Sequence, residues 1–320
     1  MDARVTHRSG RASDLIPTYY DRPALKPSPY GFTVALYIYI GGLAAGAQIV
    51  STVVALLGIA SSDGIVLAGR VVALAGAVIG GILLIIDLHT KRRFYNMLRI
   101  FRPTSPMSIG TYVLMAFGFW SLLAVAAQLL LGWMVAALVC SVVASIAAWG
   151  MTTYTAALLA QTATPLWAAA PRLLAVRFAS SAMATGTAAL LLTAATWPGH
   201  EAVSQDLAEV AALSLLVQAV ALVVSYRLYR VQGVSGAVDE MPWAALQWIG
   251  VLLLGQLAPI VLVVFARTSG SAAGLQVAAA VCVLVGGLVM RGTVLLAGNE
   301  SAKRPRDYFR LAQEPFEGAV

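Results

Sequence analysis

Hydrophobic residues fill the chain in eight long blocks, separated by short polar or charged breaks. No Asp, Glu, Lys or Arg occurs in 30–62 or in 103–171. A helix crosses a bilayer with about 20 apolar residues, and a water-facing helix would need a polar stripe that these blocks lack. The blocks therefore predict eight transmembrane helices, over 31–60, 65–88, 108–132, 134–160, 173–196, 206–229, 243–266 and 272–298.

Composition supports the same fold class. Hydrophobic residues make up 60% of the chain and charged residues only 11%, which is about half the charge of a typical soluble domain. The blocks are too long and too uniformly apolar for the strands of a membrane barrel. We expect an all-α, polytopic membrane helix bundle. Its predicted parts are a tail at 1–30, the helices over 31–298 with an inner loop at 88–107, and a tail at 299–320.

Basic residues predict the orientation of the bundle. With the N-terminus in the cytoplasm, all but three of the 21 Lys and Arg residues fall in inner segments. Arg70 and Arg267 fall on the outer side, and Arg291 lies inside the last helix. Because Lys and Arg concentrate in cytoplasmic loops, we predict a multi-pass cell-membrane protein with both termini in the cytoplasm. Orientation also accounts for the net charge of +7 without nucleic acid as a partner.

Residue types that hold redox cofactors are scarce. The three histidines, His7, His89 and His200, all lie outside the middle of any predicted span, so no pair is placed to ligate a haem. Cys140 and Cys282 are far apart and belong to no CxxC motif, which argues against an iron–sulfur cluster or a zinc site. The sequence predicts no haem, no iron–sulfur cluster and no metal in this chain.

Asp87 stands at the C-terminal end of the second predicted helix. The helix dipole disfavours an anion there by about 0.3–1 kcal/mol, so another group must stabilise the carboxylate. One alternative is a salt bridge to Lys91, Arg92 or Arg93. The other is a role as proton acceptor, or as hydrogen-bond partner for a polar ligand at the membrane interface.

Other polar side chains lie inside predicted spans. Tyr37 and Tyr39 fall near the inner end of the first helix, and Tyr154 falls in the fourth. Each phenol either makes an ordinary interhelical hydrogen bond or binds a ligand. Arg291 either extends to the inner surface or pairs with an acid or a ligand oxygen. All these groups fall in the inner half, which favours one cytoplasm-side site over a through-channel.

Small and helix-breaking residues indicate how the helices pack. The spacing of Gly42 and Gly46, and of Gly76 and Gly80, is typical of close helix contacts in membranes. Pro259 predicts a kink in the seventh helix. Glutamines inside the spans are expected to form interhelical hydrogen bonds; they are Gln48, Gln128, Gln218, Gln256 and Gln276.

Several short motifs together resemble the NrfD/polysulfide reductase family of membrane subunits. They are Tyr19-Tyr20-Asp21-Arg22-Pro23, Gly41-Gly42-Leu43-Ala44-Ala45-Gly46, Asp87-Leu88, Arg93-Phe94-Tyr95-Asn96-Met97-Leu98, Arg102-Pro103-Thr104-Ser105-Pro106-Met107-Ser108, Tyr154-Thr155, Pro165-Leu166-Trp167 and Gly286-Gly287-Leu288-Val289-Met290-Arg291. In this order they cover essentially the whole chain. The Pro-Thr-Ser-Pro-Met-Ser element with its upstream Asn-Met-Leu is the most specific of them.

The resemblance implies a quinone/quinol-binding anchor subunit of a respiratory oxidoreductase. Its quinone would be menaquinone or ubiquinone. Its partners would be a ferredoxin-like iron–sulfur subunit and a molybdopterin-type catalytic subunit. In the family the quinone head group lies at positions that match Tyr37, Asp87 and Tyr154. This chain has His89-Thr90-Lys91 where relatives often read Gly-Arg-Pro, and Tyr37 where the polysulfide reductase branch has His.

This hypothesis gives each candidate residue a role. Asp87 exchanges the quinone proton, with His89 as a relay to the cytoplasm, while Tyr37, Tyr154 and Arg291 bind quinone oxygens. A basic inner loop docks the iron–sulfur subunit through complementary charge; its candidate residues are Lys91, Arg92, Arg93, Arg99 and Arg102. Two other classes stay open, namely a subunit that translocates ions or small solutes and a purely structural membrane anchor.

Overall fold

The computed structural model describes residues 30–59, 62–88, 95, 99–196, 201–268 and 272–313. Within these residues, eight helices are long and apolar enough to cross a membrane, and there is no β-strand. They are α1 (Phe32–Leu57), α2 (Asp63–Asp87), α3 (Pro106–Leu129), α4 (Met134–Ala160), α5 (Pro171–Thr196), α6 (Glu201–Val231), α7 (Trp243–Thr268) and α8 (Ala272–Ala302). The predicted all-α, eight-helix fold is confirmed, and each predicted span overlaps one of these helices.

The helices form two groups of four, α1–α4 and α5–α8, which meet where α1 packs against α5. These two helices are the most enclosed. In the most apolar 18-residue stretch of each, 67% of the residues are buried, against 28–39% in the other six helices. The outer helices therefore turn most of their surface toward lipid, while α1 and α5 form the centre of the molecule.

Glycines allow the central helices to approach closely. A Cβ at Gly46 of α1 would overlap the backbone of Ala182 in α5, and a Cβ at Gly186 of α5 would overlap the backbone of Gly46. A Cβ at Gly76 of α2 would overlap the Cβ of Ala44 in α1. Because lipid gives packed helices no hydrophobic advantage, such close van der Waals contact is what stabilises their association. The predicted close packing is confirmed at Gly46 and Gly76, whereas Gly42 lies against the Arg291 side chain and a Cβ at Gly80 would be 4.0 Å from the Tyr37 ring.

Helix α7 is irregular where a kink was expected. Leu246–Leu257 forms a π-helix, and regular α-helix resumes at Ala258, one residue before Pro259. Proline has no N–H for the carbonyl one turn earlier, and the wider π turn is an established way to accommodate a disturbed hydrogen-bond ladder. Pro259 thus predicted where the helix is irregular, but the sequence did not show that the irregularity is a π-helix.

One arginine lies unexpectedly deep in the first helix group. Arg70 of α2 is only 3% exposed. Its Nε donates to Ser141 Oγ at 2.8 Å, and its Nη1 donates to Gln128 Oε1. Gln48 Nε2 donates to the Ser141 carbonyl at 3.4 Å. The glutamines at positions 48 and 128 therefore make the interhelical hydrogen bonds that the sequence predicted for them.

The end of the bundle where α1 begins is here called the N-terminal face. Six segments of the described chain lie there, namely residues 30, 88, 99–105, 161–170, 232–242 and 303–313. Three short helices lie on this face, Pro165–Ala168, Gly236–Asp239 and Pro305–Gln313. Ser301 Oγ accepts the backbone N–H of Leu166 at 3.3 Å, and Arg304 pairs with Glu240. The short helices thereby connect both helix groups at this face.

Candidate functional site

A cavity of about 50 Å³ lies at the N-terminal face within the first helix group. Its walls are mainly apolar, with three phenols, two hydroxyls and one carboxylate among them. The lining residues are Tyr30, Thr33, Val34, Tyr37, Leu83, Leu84, Asp87, Met107, Thr111, Tyr154 and Leu158. The three residues for which the sequence predicted quinone contact from α1, α2 and α4 are all present in this set.

Helical periodicity explains which side chains reach the cavity. On α1, Tyr37 follows Val34 by three residues and Thr33 by four, so its side chain shares a helix face with both. The same spacing relates Leu83, Leu84 and Asp87 on α2, Met107 and Thr111 on α3, and Tyr154 and Leu158 on α4. Each helix therefore contributes about one turn to the cavity wall. The site is therefore built on four helices of the first helix group.

Tyr154 occupies its position because α3 has a glycine opposite it. The tyrosine ring lies against Gly110, and a Cβ at Gly110 would overlap the ring. Tyr37, on the α1 side, is only 4% exposed, and a Cβ at Gly80 of α2 would lie 4.0 Å from its ring. Among the residues that the structure describes, neither phenol has a hydrogen-bond partner. Both hydroxyls are thus available to a ligand.

Asp87 is the last residue of α2, and its side chain is exposed. It lines the cavity and also faces outward, as expected for a group at the membrane interface. No ion pair joins it to another residue of the described ranges. The predicted alternative, a salt bridge to Lys91, Arg92 or Arg93, concerns residues outside those ranges and stays open.

Tyr30 is a lining residue that the sequence analysis did not single out. Its carbonyl accepts a hydrogen bond from Asn299 Nδ2 at 2.7 Å, which fixes it just before α1 begins. Burial and, to a smaller extent, the charge of Asp87 raise the pKa of the Tyr30 phenol above 10.0. The phenol therefore remains a hydrogen-bond donor at neutral pH. Tyr30 precedes Tyr37 by seven residues, a spacing that would put both on one helix face, but Tyr30 lies outside the predicted span 31–60.

A family model described as "Polysulphide reductase, NrfD" matches residues 23–301. The chain belongs to the NrfD family. Members of this family are membrane subunits of respiratory oxidoreductase complexes. No curated protein matches the chain as an individual relative. Family and fold together make this NrfD protein a multi-pass membrane protein.

The most specific motif of this NrfD protein forms the start of α3. Pro106 is the first helical residue and Ser105 precedes it as the N-cap. Ser108, in the first turn, uses its Oγ to accept the backbone N–H of Arg102 at 3.0 Å. This bond ties the preceding loop to the helix. Met107 lines the cavity from this first turn, and Thr111 lines it one turn later, so the motif shapes the cavity wall through Met107.

Arg291 lies apart from the other predicted ligands. It is 2% exposed and packs between α8, α5 and α1, away from the cavity lining. Its Nη2 donates to the Phe178 carbonyl at 3.3 Å, and its guanidinium carbon lies 5.5 Å from the centre of the Phe178 ring. Its guanidinium also abuts Gly42. The structure does not bring Arg291 to the cavity with Tyr37 and Tyr154.

The remaining candidates divide into three sets. His89, Lys91, Arg92 and Arg93 lie outside the described residues. Arg99 and Arg102 are exposed on the N-terminal face. Tyr39 takes the packing alternative, because its hydroxyl donates to the Leu284 carbonyl of α8 at 3.0 Å.

Proposed function

We propose that this NrfD protein binds a quinone or quinol in the cavity at the N-terminal face and exchanges electrons with an iron–sulfur partner subunit. The observation that carries the proposal is the convergence of Tyr37, Asp87 and Tyr154 on one cavity. They come from three helices, and the family resemblance implies them as one set. The chain is not catalytic alone; a molybdopterin-type subunit completes the enzyme.

The cavity has the character that a quinone head group requires. Leu83, Leu84 and Leu158 provide apolar contact for the ring, while the phenols of Tyr37 and Tyr154 are donors for its oxygens. The volume of about 50 Å³ is below the roughly 300–1,000 Å³ of pockets that enclose a whole small ligand. Binding therefore includes rotation of lining side chains. Unbranched Met107, 46% exposed, is the most adaptable of them.

Each polar group has a task in this proposal. A bound quinone supplies reversible two-electron, two-proton chemistry. Tyr37 and Tyr154 donate hydrogen bonds that orient the ring oxygens. The Asp87 carboxylate would accept one of the two protons of a quinol as its electrons pass to the iron–sulfur partner; in the reverse direction the protonated carboxyl would return that proton to a quinone oxygen as the ring is reduced. Asp87 suits this role because it lines the cavity and its side chain is also exposed. His89, two residues further along the chain, passes that proton to the aqueous phase.

Charge indicates where the electron-transfer partner docks. Arg99 and Arg102 are exposed on the same face as the cavity, and Lys91, Arg92 and Arg93 belong to the same loop. An acidic surface of a ferredoxin-like subunit would be attracted to this loop. Because basic residues concentrate in cytoplasmic loops, we propose that the N-terminal face lies in the cytoplasm. The membrane would then be the plasma membrane.

The variant Asp87→Asn in the assembled complex tests the proton-transfer role. Asp87 is the only carboxylate among the described residues of the cavity lining, and its removal should lower quinone-linked turnover at least tenfold, which corresponds to about 1.4 kcal/mol in the barrier. Asp63→Asn is the matched control, because Asp63 is an exposed carboxylate at the opposite end of the same helix. Equal activity of wild type and Asp87→Asn, with intact assembly, would remove Asp87 from the mechanism.

Charge reversal tests the docking surface. The double variant Arg99→Glu, Arg102→Glu should reduce co-purification of the iron–sulfur subunit and make the remaining association less sensitive to salt. Arg267→Glu is the control, because Arg267 is an exposed arginine at the other end of the bundle, paired with Glu209. Equal recovery of the partner in both variants would place docking elsewhere.

A further inference from the structure

A second, smaller cavity lies inside the other helix group, α5–α8. It holds about 10 Å³, which is close to the space of a single water-sized sphere. Its polar lining consists of Arg177 from α5, Tyr229 from α6, Gln247 from α7 and Thr293 from α8. One polar side chain from each helix of the group therefore converges on one enclosed point, and none of these residues has a part in the proposed quinone site.

Several donors at this point lack a partner. Arg177 is 2% exposed, and its Nε and Nη2 atoms are both buried without a hydrogen bond in the part of the chain that the structure describes. The same holds for Thr293 Oγ1. Tyr229, 3% exposed, is not one of these atoms, because its hydroxyl is hydrogen-bonded to the Arg177 side chain and to Ser225. Buried polar atoms normally have partners, so these atoms together indicate an occupant.

Charge identifies the class of occupant. A guanidinium stays protonated in proteins, and a buried charge is strongly destabilising when it has neither a counter-charge nor acceptors for its N–H groups. Arg70 has such acceptors in Ser141 and Gln128, whereas Nε and Nη2 of Arg177 have none in the described chain. Within the part of the chain that the structure describes, no Asp or Glu lines the cavity. A water molecule would satisfy hydrogen bonds but would leave the charge of Arg177 unbalanced. An anion satisfies both requirements.

We propose that this cavity binds one monoatomic inorganic anion, a halide such as chloride. Arg177 is its counter-charge, and the hydroxyl of Thr293 and the amide of Gln247 complete its donors, while Tyr229 holds the guanidinium in place. The small volume excludes polyatomic anions. Because Trp167 of the short helix Pro165–Ala168 also lines the cavity, the bound ion would hold that helix against the bundle and so stabilise the N-terminal face.

Thermal unfolding of the purified full-length chain tests the proposal. In buffer containing only gluconate, which is too large to enter, added chloride or bromide should raise the unfolding midpoint by about 2 °C or more, with saturation. The variant Arg177→Met should lose this halide dependence. Arg172→Met should keep it, because Arg172 is exposed on the first turn of the same helix. An equal halide response in Arg177→Met would overturn the proposal.

A direct measurement makes the proposal independent of whether Arg177→Met folds. Bromide should give an anomalous diffraction peak between Arg177 and Thr293 in crystals of the wild-type protein. A peak there together with the saturable stabilisation establishes the site. A wild-type protein with no halide-dependent midpoint, or a water molecule at this position in bromide-grown crystals, would overturn it.

Discussion

The ring of Tyr30 packs against the indole of Trp167, with centroids 6.2 Å apart and planes inclined by 40°. Tyr30 lines the cavity of the first helix group, and Trp167 lines the cavity of the second. The Trp167 indole N–H donates to the Val294 carbonyl at 2.8 Å, which anchors it to α8. This pair of packed rings therefore links the two cavities, because the short helix that carries Trp167 lines the second cavity and packs against a lining residue of the first.

Removing either phenol of the first cavity should weaken quinone binding. Tyr37→Phe and Tyr154→Phe each delete one donor while keeping the ring, and one hydrogen bond contributes about 0.5–1.5 kcal/mol. The dissociation constant of a quinone analogue should rise by roughly two- to tenfold in each variant. Titration of the analogue by isothermal calorimetry, with the protein in detergent, measures this change.

Tyr39→Phe is the control for those two variants. Its hydroxyl donates to the Leu284 carbonyl and does not face the cavity. We expect unchanged analogue affinity and a loss of about 1 kcal/mol in stability. A similar loss of affinity in all three tyrosine variants would show a general effect on the bundle and not contact with the ligand.

Gly110 should be essential for the position of Tyr154. A methyl group from Gly110→Ala would overlap the tyrosine ring, so the ring must turn away from its place in the cavity wall. The affinity for a quinone analogue should fall by about tenfold, or 1.4 kcal/mol. Gly118→Ala, on the same helix, meets Ala77 Cβ at an ordinary 3.5 Å and should bind normally. Normal binding by Gly110→Ala would contradict the assigned geometry.

The contact between α7 and α8 should depend on two glycines. Gly286 of α8 lies so close to Gly255 of α7 that a Cβ at either position would overlap the backbone of the other helix. Gly286→Ala should cost about 1–3 kcal/mol through overpacking, seen as a lower midpoint of thermal unfolding. Gly292→Ala, six residues along α8 with open space around it, should be neutral or slightly stabilising. A larger loss of stability in Gly292→Ala than in Gly286→Ala would contradict the helix packing.

Asp307 should make the stability of the C-terminal short helix depend on pH. Burial, together with the charge of Glu240, raises the pKa of this carboxyl above 3.8, although Arg304 and Arg310 oppose the shift. A raised pKa in the folded state means that the contribution of Asp307 to stability is complete below 3.8 and is lost as pH rises through the folded pKa. The residue is 6% exposed, and its Oδ2 has no partner in the described chain.

The variant Asp307→Asn tests this pH dependence. Without an ionisable group, the variant should be more stable than wild type at neutral pH, and the difference should shrink as pH approaches 3.8. Unfolding midpoints measured across this interval give the comparison. Asp206→Asn, which changes an exposed carboxylate on α6, should show no such convergence. A pH-independent difference for Asp307→Asn would point to a steric origin.

Hydropathy predicted the number and approximate limits of the helices because insertion into lipid depends mainly on the length and polarity of a segment. It does not fix how each helix is rotated, and rotation depends on the neighbouring helices. That is why Arg70, near the end of a predicted span, proved to be buried and hydrogen-bonded to α3 and α4. It is also why Arg291 faces Phe178 and lies apart from the first cavity.

The convergence of Tyr37, Asp87 and Tyr154 was available from the sequence only through family resemblance. The three residues are separated by long stretches of chain, and no periodic pattern links different helices. Tyr30 was missed because it precedes the apolar block of α1, and its position depends on the hydrogen bond to Asn299. The cavity around Arg177 was missed because an arginine near the start of a span also suits the membrane surface.

Photolabelling with an azido-quinone tests the central claim most directly, because it reports where a quinone contacts the intact chain. The label should attach to peptides that contain 30–37, 83–87, 107–111 or 154–158, and an excess of unlabelled quinone should prevent it. The Gly110→Ala variant should show reduced labelling, whereas Gly118→Ala should not. Specific labelling confined to α5–α8, or no competition by unlabelled quinone, would contradict the assignment of the cavity to quinone.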